Sequence, residues 1–210
     1  MSEPTAGPTG ALTPLQLDAL REVANIGAGH AATALSQMTG SRIMISVPRL
    51  KVVPLERLSL EIGDPEAPVA AVLMGMLGDL TGRSLLVFPH ATALRLAGAL
   101  TKRPAPTDGL GPLGESALRE MGNILSGAYL NALSEFLGMM LLNAPPDLVV
   151  DMAGAVLTAD AVAGSAPDDP VFCVESEFLI DGVAADARGF FLLLPDAQSL
   201  RAILRAIRLA

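Results

Sequence analysis

Residues 18–29 read Asp18-Ala-Leu-Arg-Glu22-Val-Ala-Asn25-Ile-Gly-Ala-Gly29, and residues 116–127 read Ser116-Ala-Leu-Arg-Glu120-Met-Gly-Asn123-Ile-Leu-Ser-Gly127. The second stretch restates the first at a spacing of 98 residues, Asp18 to Ser116. The same spacing relates Ala34-Leu35-Ser36 to Ala132-Leu133-Ser134, and Pro48 to Pro146. Solenoids and rings need three or more units to bury a continuous core, so two copies point instead to one pseudo-two-fold domain. Farther along, Leu85-Leu-Val-Phe-Pro89 resembles Phe191-Leu-Leu-Leu-Pro195 at a larger spacing. The second half must therefore carry an insertion, and Ala153 to Pro170, rich in Ala, Gly and Asp, is expected to be that loop.

Working outward from the repeat, each half shows the same order of elements. A long helix is expected over Pro14–Thr39 and again over Leu113–Leu137, with Gly40 and Gly138 as C-terminal stops. Thr13-Pro14 supplies a cap and a first-turn proline. Apolar or alternating runs at Arg42–Val53, Arg57–Ile62, Val69–Leu77 and Ser84–Phe88 read as strands. The second half offers Met139–Asn143, Leu148–Leu157, Val171–Ile180 and Gly189–Leu194. A closing helix follows in each half, Ala91–Leu100 and Asp196–Ile207, and His90 is expected to cap the first of them. The fold class is α+β, with a largely antiparallel sheet because sequential strands are joined by short turns. Residues 1–13 read as a flexible tail. Residues 14–210 form a single domain of two repeats, 14–100 and 113–208, joined by a loop at 101–112 rich in Pro and Gly.

At 100° per residue, Leu20, Val23, Gly27, Ala31, Ala34 and Met38 share one stripe of the first helix. Leu118, Met121, Leu125, Tyr129, Ala132 and Phe136 share the matching stripe of the second. These are the core faces. Asp18, Glu22, Asn25 and Gly29 stack on the opposite face, as do Ser116, Glu120, Asn123 and Gly127. Burying the apolar stripe turns each Glu–Asn pair outward, and the glycines leave low ground beside it for a partner to approach. Glu and Asn persist between the copies while core positions change, Val23 against Met121. The competing reading is that both halves use these residues to pack on each other.

Composition narrows the function. The chain has 210 residues, 51% of them apolar, enough for a sizeable core, and a formal charge of -8. That charge disfavours nucleic acid, which needs a basic patch. No apolar run reaches the roughly 18 to 20 residues of a membrane span. The N-terminus lacks a secretory signal pattern. One cysteine, Cys173, expected in a strand core, allows no internal disulfide and suits a reducing cytoplasm. With only His30 and His90 beside it, a Cys/His metal site is not expected. Ser36 and Ser134 repeat without a histidine partner, so Ser nucleophilic catalysis is not supported.

The repeated residues resemble the motif of the CheC family of chemotaxis phosphatases, related to CheX and FliY. That motif is Asp or Ser, three residues, Glu, two residues, Asn, then 22 residues and Pro. Asp18, Glu22, Asn25 and Pro48 match it, and Ser116, Glu120, Asn123 and Pro146 match it again. The resemblance covers nearly all of the chain after the tail. It implies long helices carrying the motif against an antiparallel sheet, and hydrolysis of the phospho-aspartate of a CheY-type response regulator. In that reading Asn25 and Asn123 orient the attacking water and Glu22 and Glu120 dock the regulator. Asp18 and Ser116 support the helix or docking surface. The protein needs no cofactor of its own, because Mg²⁺ is expected on the regulator. Two rival classes stand beside the enzyme: an adaptor that binds CheD or phosphorylated CheY without turnover, and a flagellar-switch-related scaffold such as FliM. Both Glu–Asn pairs argue against the scaffold, as does a chain that ends at Ala210 with no room for a further switch domain. The sequence leaves monomer and homodimer open.

Overall fold

The computed structural model describes residues 13–158, 170–180 and 187–209. The expected tail thus lies outside the described residues except for Thr13. Helix α1 (Pro14–Thr39) starts on a capping box: Gln16 N–H donates to Thr13 Oγ1 at 3.3 Å, and Thr13 N–H to Gln16 Oε1 at 2.8 Å. It ends at Gly40, whose φ of 64° is the left-handed turn a side chain would resist. Its repeat, α4 (Gly111–Leu137), ends on Gly138 with φ 65°. The repeated serines fasten these ends: Ile43 N–H donates to Ser36 Oγ at 2.9 Å, and Ser134 Oγ donates to the Met139 carbonyl.

Eight strands form one sheet: β1 (Ile43–Ile45), β2 (Arg49–Pro54), β3 (Pro68–Gly78), β4 (Gly82–Pro89), β5 (Leu141–Asn143), β6 (Asp147–Met152), β7 (Pro170–Ile180) and β8 (Ala187–Pro195). The order is β1-β7-β8-β4-β3-β5, with β2 also on β7 and β6 also on β3, and every pairing is antiparallel. Helices α1, α4, α3 (His90–Thr101) and α6 (Ala197–Leu209) cover one face, packing on Ala70, Val72, Leu86, Phe88, Phe172 and Phe191. The other face carries Val69, Ala71, Leu85, Val87, Cys173 and Leu192 under two short helices, α2 (Leu58–Ile62) and α5 (Ala153–Thr158). The chain is therefore long helices, sheet, short helices. The two halves interleave, β1 and β2 lying on β7 and β5 and β6 on β3, and at the centre β4 pairs with β8, where Leu86 sits opposite Phe191 at the pseudo-two-fold.

Five sequence expectations need correction. Arg57–Ile62 is helical, a 3-10 turn at Leu55–Arg57 running into α2, because Leu55, Leu58 and Ile62 follow helical spacing and lie on the sheet. Leu148–Leu157 is a strand only to Met152. Its remainder opens α5, with Ala153, Val156 and Leu157 buried at the i, i+3 and i+4 positions of one helix face. The expected insertion loop therefore begins as a helix, and its residues 159–169 lie outside the described ones. The match of Leu85–Pro89 to Phe191–Pro195 slips by one residue: Leu86 and Phe191 face the long helices while Leu192 faces the short ones. Hydrophobic similarity within an all-apolar strand carries no face information. Finally, Pro89 rather than His90 precedes α3, and no side chain caps it.

Candidate functional site

The core stripe of α4 is as expected from Leu118 to Ala132. That of α1 drifts: Leu35 is fully buried, Ala34 only half so, and Met38 is 42% exposed. A period of 3.6 walks a straight stripe around a helix of this length. At the motif turns the drift has no effect. Asp18, Glu22, Asn25 and Gly29 are exposed, as are Ser116, Glu120 and Asn123, with Gly127 half-buried. The reading in which these residues join the two halves does not hold. The halves instead join through Gly27, Ala24, Leu20 and Val23 on α1 and Tyr129, Leu130 and Leu133 on α4, all buried.

Asp18 accepts from Arg21 Nη1 at 2.7 Å, and Arg119 Nη2 donates to Glu115 at 3.1 Å. The first pair is exposed and the second only partly buried, each spans one helical turn, and such pairs contribute little stability. Among the described residues, the side chains of Glu22, Asn25, Glu120 and Asn123 make no hydrogen bond or ion pair. Two carboxylate–amide pairs are thus presented to solvent with their bonding capacity unspent, and an amide both donates and accepts. Beside Asn25, a Cβ at Gly29 would meet nothing within 4 Å, so the ground there is open. No cluster of three or more His, Cys, Asp or Glu among the described residues is placed to hold a metal ion.

The prolines occupy matching kinks in the sheet. Ile45 pairs with Phe178 and Arg49 with Glu175, so three residues, 46–48, oppose two on β7. Asn143 pairs with Met76 and Asp147 with Leu73, so residues 144–146 likewise oppose two on β3. Each is a one-residue bulge, where a residue without an N–H costs no ladder bond. Ser46 N–H donates to the Glu177 carbonyl at 2.9 Å and Ala144 N–H to that of Gly75 at 2.8 Å. Pro48 and Pro146 thus sit in the bulges that follow the two motif helices.

Sequence reasoning missed a polar chain beneath the second copy. Ser84 on β4 and Ser126 on α4, both fully buried, have hydroxyl oxygens 3.0 Å apart. Ser126 Oγ donates to Asn143 Oδ1 at 3.0 Å, and Asn143 Nδ2 lies 3.7 Å from where a Gly127 Cβ would stand. Under the first copy the equivalent positions hold Gly189, Ala28 and Ile45. The joint change of Ala28 to Ser126 and Ile45 to Asn143 was the signal available in the repeat.

This arrangement is that of a duplicated α+β protein with a pair of surface sites on its helical layer. The CheC-like family model matches it twice, at residues 15–52 and 113–150, again 98 residues apart. The chain is 32% identical over 195 residues to the CheY-P phosphatase CheC of Bacillus subtilis, across 91% of this chain and 93% of that one. It belongs to the CheC-like family. Thermotoga maritima FliY shares the fold, with TM-score 0.77 and 23% identity over 94% of this chain and 98% of that chain. So does FliM from a FliG–FliM complex of H. pylori, with TM-score 0.68 and 13% identity over 92% of this chain and all of that one. Among the described residues no helix is long and apolar enough to cross a membrane.

Proposed function

We propose that the chain hydrolyses the phospho-aspartate of a CheY-type response regulator. Two exposed Glu–Asn pairs without internal partners carry this reading, in a chain so similar to a CheY-P phosphatase. Asn25 and Asn123 each hold a water in line with the phosphorus. The water oxygen attacks phosphorus, the bond to the aspartyl oxygen breaks with its electron pair returning to the regulator's carboxylate, and inorganic phosphate leaves carrying the water's oxygen and protons. Glu22 and Glu120 engage a cation of the regulator and fix its register, while Asp18 and Ser116 support the docking face. Mg²⁺ on the regulator supplies charge neutralisation. Catalysis is positioning rather than covalent chemistry, and a hundredfold acceleration needs only about 2.7 kcal/mol.

The test is phosphate release from a phosphorylated regulator in Mg²⁺. Wild type is expected to accelerate it, each single Asn→Ala variant to lose part, and Asn25→Ala/Asn123→Ala to return to the spontaneous rate while folded. The likeness to FliM favours a second reading, a scaffold that binds without turnover. Binding with no acceleration by wild type would select it, or an adaptor for CheD.

A further inference from the structure

Ser84 and Ser126 are both fully buried, and a buried hydroxyl is costly unless bonded. They satisfy one another and Asn143, but an apolar trio would fill the space without that cost. The first half does so with Gly189, Ala28 and Ile45. What the polar chain achieves is orientation. With Oδ1 tied to Ser126 Oγ, the Asn143 amide cannot rotate freely, and its Nδ2 is directed to the side of Gly127. Gly127 lies one helical turn past Asn123 on the motif face, where an added Cβ would come into van der Waals contact with Nδ2 at 3.7 Å. Among the described residues Nδ2 itself makes no hydrogen bond. A fixed, unspent N–H donor is thus placed next to one Glu–Asn pair and not the other.

We propose that Asn143 is a partner-binding residue of the second site, donating its amide N–H to an acceptor oxygen on the docked phosphorylated regulator. The proposal rests on the phosphatase reading and makes the two sites chemically unequal. The first site has Ile45 at the equivalent position and lacks that donor. The second adds a donor already held in place by Ser126 and Ser84, so less freedom is lost when the regulator docks.

The experiment isolates each site. In chains carrying Glu22→Ala/Asn25→Ala, only the second site works; in chains carrying Glu120→Ala/Asn123→Ala, only the first. Asn143→Asp, which keeps the shape and the Ser126 contact but replaces the N–H donor with a charged acceptor, and Asn143→Ile, which copies Ile45 and removes the donor without adding charge, are added to both. KM and kcat are measured with phosphorylated regulator, and affinity with regulator carrying beryllofluoride on its aspartate. With the second site alone, both variants are expected to weaken affinity and raise KM about tenfold, with kcat nearly unchanged. With the first site alone they are expected to change neither. Melting temperatures identify any variant that fails to fold, and Asn143→Asp then decides. An unchanged KM in Asn143→Asp, or an equal effect on both sites, would overturn the proposal and leave Asn143 a structural residue. A second site without turnover beside an active first site also overturns it while the phosphatase reading stands. No turnover from either site removes both.

Discussion

Tyr129 lies across Gly27: a Cβ at residue 27 would stand 2.7 Å from the tyrosine Cδ1 and 3.0 Å from its Cα. The ring cannot retreat, because it stacks on Phe191 with centroids 4.6 Å apart and its hydroxyl meets Ser176 Oγ at 3.3 Å. The missing side chain lets the two motif helices approach at the pseudo-two-fold. Gly27→Ala gains about 1 kcal/mol of helix propensity but forces overpacking worth about 1–3 kcal/mol. A lower denaturation midpoint is expected. An unchanged or higher midpoint would show that the helices can move apart freely.

The exposed Glu–Asn pairs are expected to contribute almost nothing to folding. Glu22→Ala, Asn25→Ala, Glu120→Ala and Asn123→Ala should each stay within about 0.5 kcal/mol of wild type in urea unfolding. A loss of phosphate release accompanied by that result separates function from stability. A large loss of stability from any of the four would place that side chain in packing instead.

Alkaline pH should unfold the protein through two buried groups. Burial pushes the Cys173 thiol up to about 12 from 9.0, reinforced by the Glu61 and Glu175 carboxylates and opposed by Lys51. Burial likewise raises the Tyr129 hydroxyl to about 12 from 10.0, against the lowering effect of its Ser176 bond. The native state therefore holds protons that the unfolded chain has released. Stability is full below about pH 9 and falls toward pH 12, at most by about 1.4 kcal/mol per pH unit for each group. Chemical unfolding between pH 8 and 11 should show this decline, and Tyr129→Phe should make it shallower. A flat profile contradicts the burial of both groups. Cys173 should also resist thiol reagents until the chain unfolds.

Thr13→Ala removes one half of the capping box on α1 and should cost about 1 kcal/mol. Amide exchange in the first turn of α1 should rise selectively. Equal protection in the variant would mean that tertiary packing alone holds that turn.

Much of the fold was legible because the chain states it twice. The ends of α1 and α4 follow from Gly40 and Gly138, and the outward Glu–Asn pairs follow from helical periodicity once Leu20, Leu118 and Met121 are buried. Arg57–Ile62 was misread because a short apolar run fits strand and helix alike. Which of them forms depends on whether the sheet has an open edge or an uncovered face to offer, and here the face under Val69 and Leu85 is what Leu58 covers. The phase of β8 was misread for a related reason, since Phe190 and Phe191 are equally apolar and only the two helical layers distinguish them.

The sequence by itself determined the duplication, the two long helices and the exposure of Glu22, Asn25, Glu120 and Asn123, because these depend on local periodicity and caps. Only the tertiary structure decided that the strands of the two halves interleave around the β4–β8 pair, that Pro48 and Pro146 sit in bulges, and that Ser84, Ser126 and Asn143 meet beneath the second copy of the motif. Those contacts link residues 17 to 42 positions apart or on different strands. No local preference specifies such a meeting; it exists only once the sheet's register and the seat of α4 upon it are set.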